Sequence, residues 1–432
     1  MENLKQKASK CMEYIKEKGI DKASCMVSSR VVSEFNVDSG EFSLFRTLFD
    51  NSLSVTVYNQ GKKGSVGVNR IDDDSMRQAV ENCIAASESA TPDDAWDIAP
   101  LDQNCDFVTG CPEPDTTKLF ERTKELLSDI NKRHPKIMVE QMIIKHISGK
   151  GVYQNSNGVE YTTLSGQYLI DLMFSAHEGN LSSSFYGSGV ATDNLDKPFI
   201  ELGSIEEDLS NVEKQVITTP VEGKFTGTVV FPPQSLYSLL YSTLFNFCGN
   251  TTILDGTSIW KDKLGKQVAD CRITVSSSPL DERIICGERF TGEGFKSENY
   301  YIIKDGILNS FMLSHYVANK TGRERAKNSS AAFVMANGET PVDEIIKGID
   351  RGIIVGRLSG GEPATNGDFS AVAKNSFYIE NGKITNAVSE TMISANLADL
   401  LNNVRDISKE VICDGGTVLP YVAFDNITIS GK

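Results

Sequence analysis

Few stretches of this sequence combine residue types that could carry chemistry. His177-Glu178 sets an imidazole beside a carboxylate, as zinc peptidases do when two histidines on one helix face hold the metal and a glutamate serves as general base. The chain has four histidines, His134, His146, His177 and His315, and no two lie three to five residues apart, so the pair reads as a turn after a strand. Gly292-Glu293-Gly294 belongs to a glycine-rich loop that lacks both a phosphate-binding Lys-Ser/Thr and a strand-loop-helix frame; it reads as a tight loop able to line a cleft. Neither Ser65 nor Ser188 sits in a Gly-x-Ser-x-Gly elbow, which leaves serine hydrolase chemistry without support. Cys413, in Ile412-Cys413-Asp414-Gly415-Gly416, falls between a predicted helix and the last predicted strand. A lone cysteine is more often a small buried hydrophobe than a nucleophile, although a hydrolase using Cys413 with Glu293 or His315 stays open here. Asp368 and Glu390 occupy turn-rich segments; Asp368 could line a cleft, and a solvated loop residue is the plainer reading.

The element best placed to organise such residues runs from Phe231 to Lys266. Pro232 and Pro233 suit a strand end followed by a first helical turn, because proline has a fixed φ and lacks only an N–H that a helix start leaves unpaired. Leu236, Leu239, Leu240, Leu244 and Phe247 recur at helical spacing, and Gly249 stops the helix.

A chain of 432 residues exceeds a single core and predicts two domains. Lys plus Arg number 43 against 58 Asp plus Glu, a formal charge of -15, without a basic cluster. Such a surface repels phosphate backbones and anionic membranes, so neither nucleic acid nor membrane is expected as a direct partner. Nine cysteines show no disulfide or metal-knuckle spacing. Together with a charged, amphipathic N-terminus and no apolar run long enough to span a bilayer, they predict a reduced, cytoplasmic protein.

Leu4, Ala8, Cys11, Met12 and Ile15 form one face of a first helix, with Gly19 as its left-handed stop. Ala23 to Val32, Ser52 to Tyr58 and Ser65 to Asn69 read as a small antiparallel sheet, followed by a helix after Asp72-Asp73-Asp74. Residues 88 to 115 read as a surface connection anchored by Trp96 and Phe107; Thr116 is the predicted cap of a helix to Asn131. Five strand-like runs follow between Lys136 and Tyr186, with a hairpin at Asn157-Gly158. In the second half, Cys271 to Ser276, Tyr300 to Ile303, Ile353 to Leu358, Ser376 to Glu380 and Tyr421 to Ile429 read as strands, and Asn396 to Val404 as a short helix. The predicted fold class is α+β. An N-terminal α+β domain (1–220) carries an antiparallel meander, and a mainly antiparallel, barrel-like domain (221–432) surrounds the Pro233 helix.

Leu264-Gly265-Lys266-Gln267, Thr291-Gly292-Glu293-Gly294, Ile303-Lys304-Asp305-Gly306-Ile307-Leu308, Thr365-Asn366-Gly367-Asp368-Phe369-Ser370, Ile379-Glu380-Asn381-Gly382 and Ile393-Ser394-Ala395-Asn396-Leu397 resemble, in order and spacing, blocks of the TldD/PmbA family. They cover about half the chain, and Asn155-Ser156-Asn157-Gly158 is similar too. The family has a TldD branch, a zinc peptidase with His-Glu-x-x-x-His on a helix and a cysteine near the C-terminus, and a PmbA branch (also called TldE) without the histidines. Anchored on Gly256-Thr257-Ser258 and Leu264-Gly265 without gaps, the motif falls on Tyr241, Ser242 and Asn246, with Cys413 resembling the cysteine. The resemblance implies the PmbA branch: a non-catalytic subunit with no metal of its own, zinc residing in a TldD-type partner, and a flexible peptide as substrate. It further implies a dimer, with self-association as a possible form, and a link to DNA gyrase that this acidic surface would make indirect. Tyr241 and Asn246 are expected on the cleft-facing side of the helix.

Overall fold

The computed structural model describes residues 1–432 and arranges 22 strands in two sheets. Helix α1 (Glu2–Glu17) leads into β1 (Lys22–Asp38), β2 (Glu41–Asn59), β3 (Lys62–Val68) and α2 (Asp73–Glu88). After β4 (Cys105–Gly110) and α3 (Thr116–Arg133) come β5 (Ile137–Asn155), β6 (Glu160–Glu178), β7 (Leu181–Ser182), β8 (Tyr186–Thr192) and α4 (Ile205–Glu213). These eight strands form a curled half-barrel in the order β3-β2-β1-β5-β6-β4, with β7 and β8 also on β6. All its pairs are antiparallel except β4 with β6. Alternation along β1 sends Ala23, Cys25 and Val27 under α1 and α2, and Phe35 and Val37 into the cluster that α3 and α4 cover.

The second sheet opens with β9 (Thr218–Pro220) and β10 (Lys224–Phe231), then α5 (Pro233–Cys248) and α6 (Asn250–Leu254). Next come β11 (Val275–Ser277), β12 (Tyr300–Lys304), β13 (Ile307–Leu308), α7 (His315–Thr321), β14 (Phe333–Met335) and α8 (Val342–Lys347). β15 (Arg351–Ile354), β16 (Arg357–Ser359), β17 (Asp368–Lys374), β18 (Ser376–Glu380), β19 (Lys383–Ser389) and β20 (Thr391–Asn396) follow. Helix α9 (Leu397–Asn402), β21 (Val404–Cys413) and β22 (Val418–Ser430) close the chain. This 14-stranded sheet is mixed, with β22 pairing to β10, β14, β20 and β21. Its core, a cluster of 41 buried residues, is the largest in the molecule and contains the inward face of α5. The fold is therefore α+β, as expected, and no helix is long and apolar enough to cross a membrane. All nine cysteines are free thiols.

Several predicted elements are longer or different in kind. β1 and β2 extend to a turn at Ser39-Gly40, both with positive φ, instead of ending near Val32 and starting near Ser52. The reason is that residues 41–50 are exposed on both faces, so no period-2 contrast marks them. The five strand-like runs expected between Lys136 and Tyr186 are fewer and longer, with β5 continuous through Gly149 and Gly151 and β6 through Gly166. At Gly166 a Cβ would lie 1.8 Å from the Cys111 carbonyl oxygen, so the glycine admits a neighbouring chain rather than ending the strand. Residues 105–110, expected as a connection, form β4 along the edge of β6. Asp115, not Thr116, caps α3 by accepting the Lys118 N–H. His177-Glu178 closes strand β6 rather than standing in a turn, and Cys413 ends a strand.

The joint between the sheets contains one unusual acid. Asp208, 9% exposed on α4, accepts hydrogen bonds from the hydroxyls of Ser188 and Ser204, each at 2.7 Å, and has no cationic partner. Burial pushes its carboxyl up to about 7. A carboxyl whose folded value is raised keeps its proton in the native state after the unfolded chain has lost it. Its contribution to stability is complete below the unfolded value near 4 and is lost as pH rises to about 7. Chemical denaturation from pH 4 to 8 should show this loss at up to about 1.4 kcal/mol per pH unit, and Asp208→Asn should remove that part of the slope.

Candidate functional site

Helix α5 starts where the sequence places it, with Pro232 as cap and Pro233 in its first turn. Leu236, Leu239, Leu240, Leu244 and Phe247 are buried, and the Ser235 hydroxyl donates to the Val355 carbonyl at 2.7 Å, tying the helix start to the chain beyond β15. Gly249 ends it at φ -79, outside the left-handed region. A Cβ there would lie 2.3 Å from the Phe245 carbonyl oxygen, so glycine is required by a close approach.

The outward face carries an aromatic ladder. Tyr237 and Tyr241 have ring centroids 5.9 Å apart, Tyr241 stacks on Phe245 at 4.3 Å, and Tyr237 also meets Phe333. Tyr241 and Phe245 are 42% and 38% exposed, and Ser242 beside them is half-buried. An α-helix turns about 100° per residue, so Asn246 projects about 140° away from Tyr241. Its side-chain amide donates to the Ala364 carbonyl at 2.9 Å. That turn leads to Asp368, whose exposed carboxylate accepts from the amides of Asn366 (2.7 Å) and Asn396 (2.9 Å) and is held below the usual carboxylate range by them. Asn246 and the Asp368 turn thus meet. Tyr237 and Phe245 were not singled out from the sequence, although aromatics at i, i+4 and i+8 are visible there.

The Gly292-Glu293-Gly294 loop lies on the seam between the sheets. The Tyr153 hydroxyl of β5 donates to the Glu293 carbonyl at 3.2 Å, and the Glu293 carboxylate accepts the His315 N–H at 2.9 and 3.1 Å. Gly294 has φ +91, and a Cβ on it would sit 2.3 Å from the Tyr153 hydroxyl oxygen. Phe290 joins Tyr153, Tyr161 and Phe107 alongside. Farther along the seam Trp96 stacks on Tyr316 at 3.7 Å, and Lys320 pairs with Asp93 at 2.7 Å. Burial raises the Tyr153 phenol to about 12, so it acts as a neutral donor. Gly294→Ala should lower stability by about 1–3 kcal/mol, measured as a fall in denaturation midpoint, whereas Gly292→Ala, whose Cβ would meet open space, should cost far less.

Cys413 donates its thiol to the Arg283 carbonyl at 3.3 Å and packs against Ile284, Ala332 and Val418. Burial pushes the thiol above its ordinary value, opposite to what a nucleophilic cysteine needs. The His315 imidazole faces the Phe295 edge, and its Nδ1 is buried without a hydrogen-bond partner. Glu293 meets His315 through the His315 backbone N–H and Cys413 bonds to the Arg283 carbonyl, so the three form no nucleophile–base pair. The donors at the motif positions suit zinc poorly. Zinc takes thiolate, imidazole or carboxylate, and among Tyr241, Ser242, Asn246 and Cys413 only the cysteine belongs to that set, with its thiol kept protonated by burial. No group of three His, Cys, Asp or Glu side chains is arranged to hold a metal elsewhere in the chain.

Residues 223–431 match the PmbA/TldA metallopeptidase C-terminal domain. Over 99% of this chain and 96% of that protein, the sequence is 24% identical to the metalloprotease PmbA of Escherichia coli O157:H7. It is 23% identical to a PmbA homolog of Haemophilus influenzae, over 100% of this chain and 97% of that one. The fold is similar to that of TldE from Thermococcus kodakarensis, with a TM-score of 0.84 at 20% identity, covering 98% of this chain and 100% of the other. With the Gly292-Glu293-Gly294 block on the inter-sheet seam in place, residues 223–431 belong to the PmbA/TldA metallopeptidase C-terminal domain family, and the chain as a whole is similar to PmbA proteins in sequence and to TldE in fold.

Proposed function

We propose that this chain is a subunit of a TldD/PmbA-type peptidase system that carries no metal centre of its own and acts with a zinc-bearing TldD-type chain on flexible peptides. The observation that carries this reading is the face of α5: a Tyr237-Tyr241-Phe245 ladder and an Asn246 amide engaged with Ala364 fill the space where a peptidase would present metal ligands. Without a bound ion, no water is brought to a pKa near neutrality, so hydrolysis must come from the partner. The chain would help build an extended cleft, bounded by residues such as Asp368 and the Gly292-Glu293-Gly294 loop, in which a peptide is held by strand addition. We divide it into a domain of residues 1–220 and one of 221–432, and place its work in the cytoplasm, in keeping with nine free thiols.

The half-barrel supports a partner reading as well. β3 pairs with β2 only from Leu53 to Asn59, leaving residues 41–52 with an open edge that displays Phe42, Leu44, Phe45, Leu48 and Phe49, the last 75% exposed. Open apolar edges are ready templates for another chain. The expected occupant is the TldD-type subunit.

The chain should be purified alone and with a TldD-type subunit from the same organism, and each sample assayed for bound zinc and for cleavage of an unfolded peptide. Alone it should hold well under one zinc per chain and cleave nothing; together the two should cleave. Stoichiometric zinc with cleavage by this chain alone would end the proposal. Phe49→Glu should weaken co-purification with the partner at least tenfold while leaving the thermal midpoint of the isolated chain within a few degrees, because an exposed substitution perturbs stability by only about 0.5 kcal/mol. Undiminished pairing would remove the edge as the contact.

A further inference from the structure

Where the half-barrel meets the second sheet, α4 and β8 enclose a cavity of about 230 Å³ with the ends of β10, β15, β18 and β21. Part of its wall is apolar, including Val230, Ile346, Ile354, Phe377 and Ile412. Every charged group on it except Lys214 is acidic: Asp208, Glu207, Asp343 and Asp414. Glu207 and Asp343 are exposed at the mouth, and Asp208 is 9% exposed.

Acceptors outnumber donors on this wall. Both hydroxyls that reach Asp208 bond to Oδ2, leaving Oδ1 without a protein partner. Glu207 accepts the Tyr421 hydroxyl through one oxygen, Oε2, at 2.6 Å. Asn375, also on the wall and 8% exposed, has an Oδ1 that accepts no hydrogen bond, although it is buried. Its backbone is held at φ +51, a conformation Asn tolerates better than most residues at some cost in energy. A buried acceptor left unpaired carries a desolvation penalty, and a buried carboxylate without a counter-ion carries a larger one. One kind of ligand relieves both: a cation rich in N–H donors whose stem matches the apolar part of the wall.

We propose that this cavity binds an organic monocation, an ammonium or guanidinium group on an apolar stem, supplied either as a free amine or as a basic side chain of a peptide. Its head would take Asp208 Oδ1 as counter-ion, and the mouth carboxylates Glu207 and Asp343 would attract it. Burial raises the Asp208 carboxyl to about 7, and an arriving cation would favour its ionised form. The site shares no residue with the motif positions on α5, so it stands apart from the subunit reading.

Calorimetric titration of the full chain at pH 7.5 tests it with n-hexylamine, 1-hexanol and hexanoate, and with the peptide Gly-Gly-Lys-Gly-Gly against its norleucine counterpart. Saturable binding of the amine, the lysine peptide or both is expected, at least tenfold tighter than the uncharged and anionic analogues. Binding of only one would identify the source. Asp208→Asn should weaken the binding at least tenfold, and Ile346→Trp, which fills the cavity without touching the acids, should do the same; circular dichroism establishes that each variant is folded. The proposal is overturned if neither cation binds, if hexanol or hexanoate binds as tightly, or if both folded variants bind like the parent chain.

Discussion

Helix α5 is apolar on the side that packs across β10 and β22, with α6 and α9 beside it, and keeping that side dry is the constraint on which the C-terminal half depends. Each buried leucine contributes about 1.5–3 kcal/mol through area removed from water, so Leu236, Leu239, Leu240 and Leu244 together outweigh any single polar contact nearby. The helix is consequently fixed in rotation. Each residue turns about 100° from the last, so the positions just beyond the buried stripe swing away from the core, which is how Tyr241 and Phe245 come to be displayed while Thr243 and Phe247 are not.

The same rotation sets what the site can do. A metal centre on this face would need donors pointing outward from α5 and a thiolate at the end of β21. The helix presents aromatic rings and an amide already hydrogen-bonded to Ala364, and Cys413 keeps its proton in an apolar pocket. What remains is a surface of rings, turns and open backbone, which under the proposed function would hold an extended chain and leave hydrolysis to another subunit.

The two sheets meet through contacts of contrasting strength. Phe290 against Tyr153, Tyr161 and Phe107 is apolar, and Trp96 on Tyr316 adds stacking, so this part of the seam rests mainly on contacts between rings. Asp208 and Glu207 sit at the other part, where burial works against charge. The acidic part costs stability that the aromatic part can supply, and sites that violate local rules tend to be where ligands are handled.

By itself the sequence determined the α+β class, the limits of α5 from its proline pair to Gly249, and the family, because each of these rests on local spacing or on ordered blocks that survive without a partner in space. The resemblance also implied that Tyr241, Ser242 and Asn246 stand at the positions of the His-Glu-x-x-x-His motif. Only the tertiary structure decided the length of β1 and β2, since residues 41–50 of β2 are exposed on both faces and carry no alternation, while the β1 residues opposite them, Phe35 and Val37 among them, are buried under α3 and α4. It also decided that Tyr241 pairs with Phe245 while Asn246 turns to Ala364, and that Asp208 is buried between two serines. The Asn246 contact joins groups 118 residues apart and the Ser188 contact groups 20 apart; both depend on which surfaces meet in space, and no periodicity in the sequence records such a meeting.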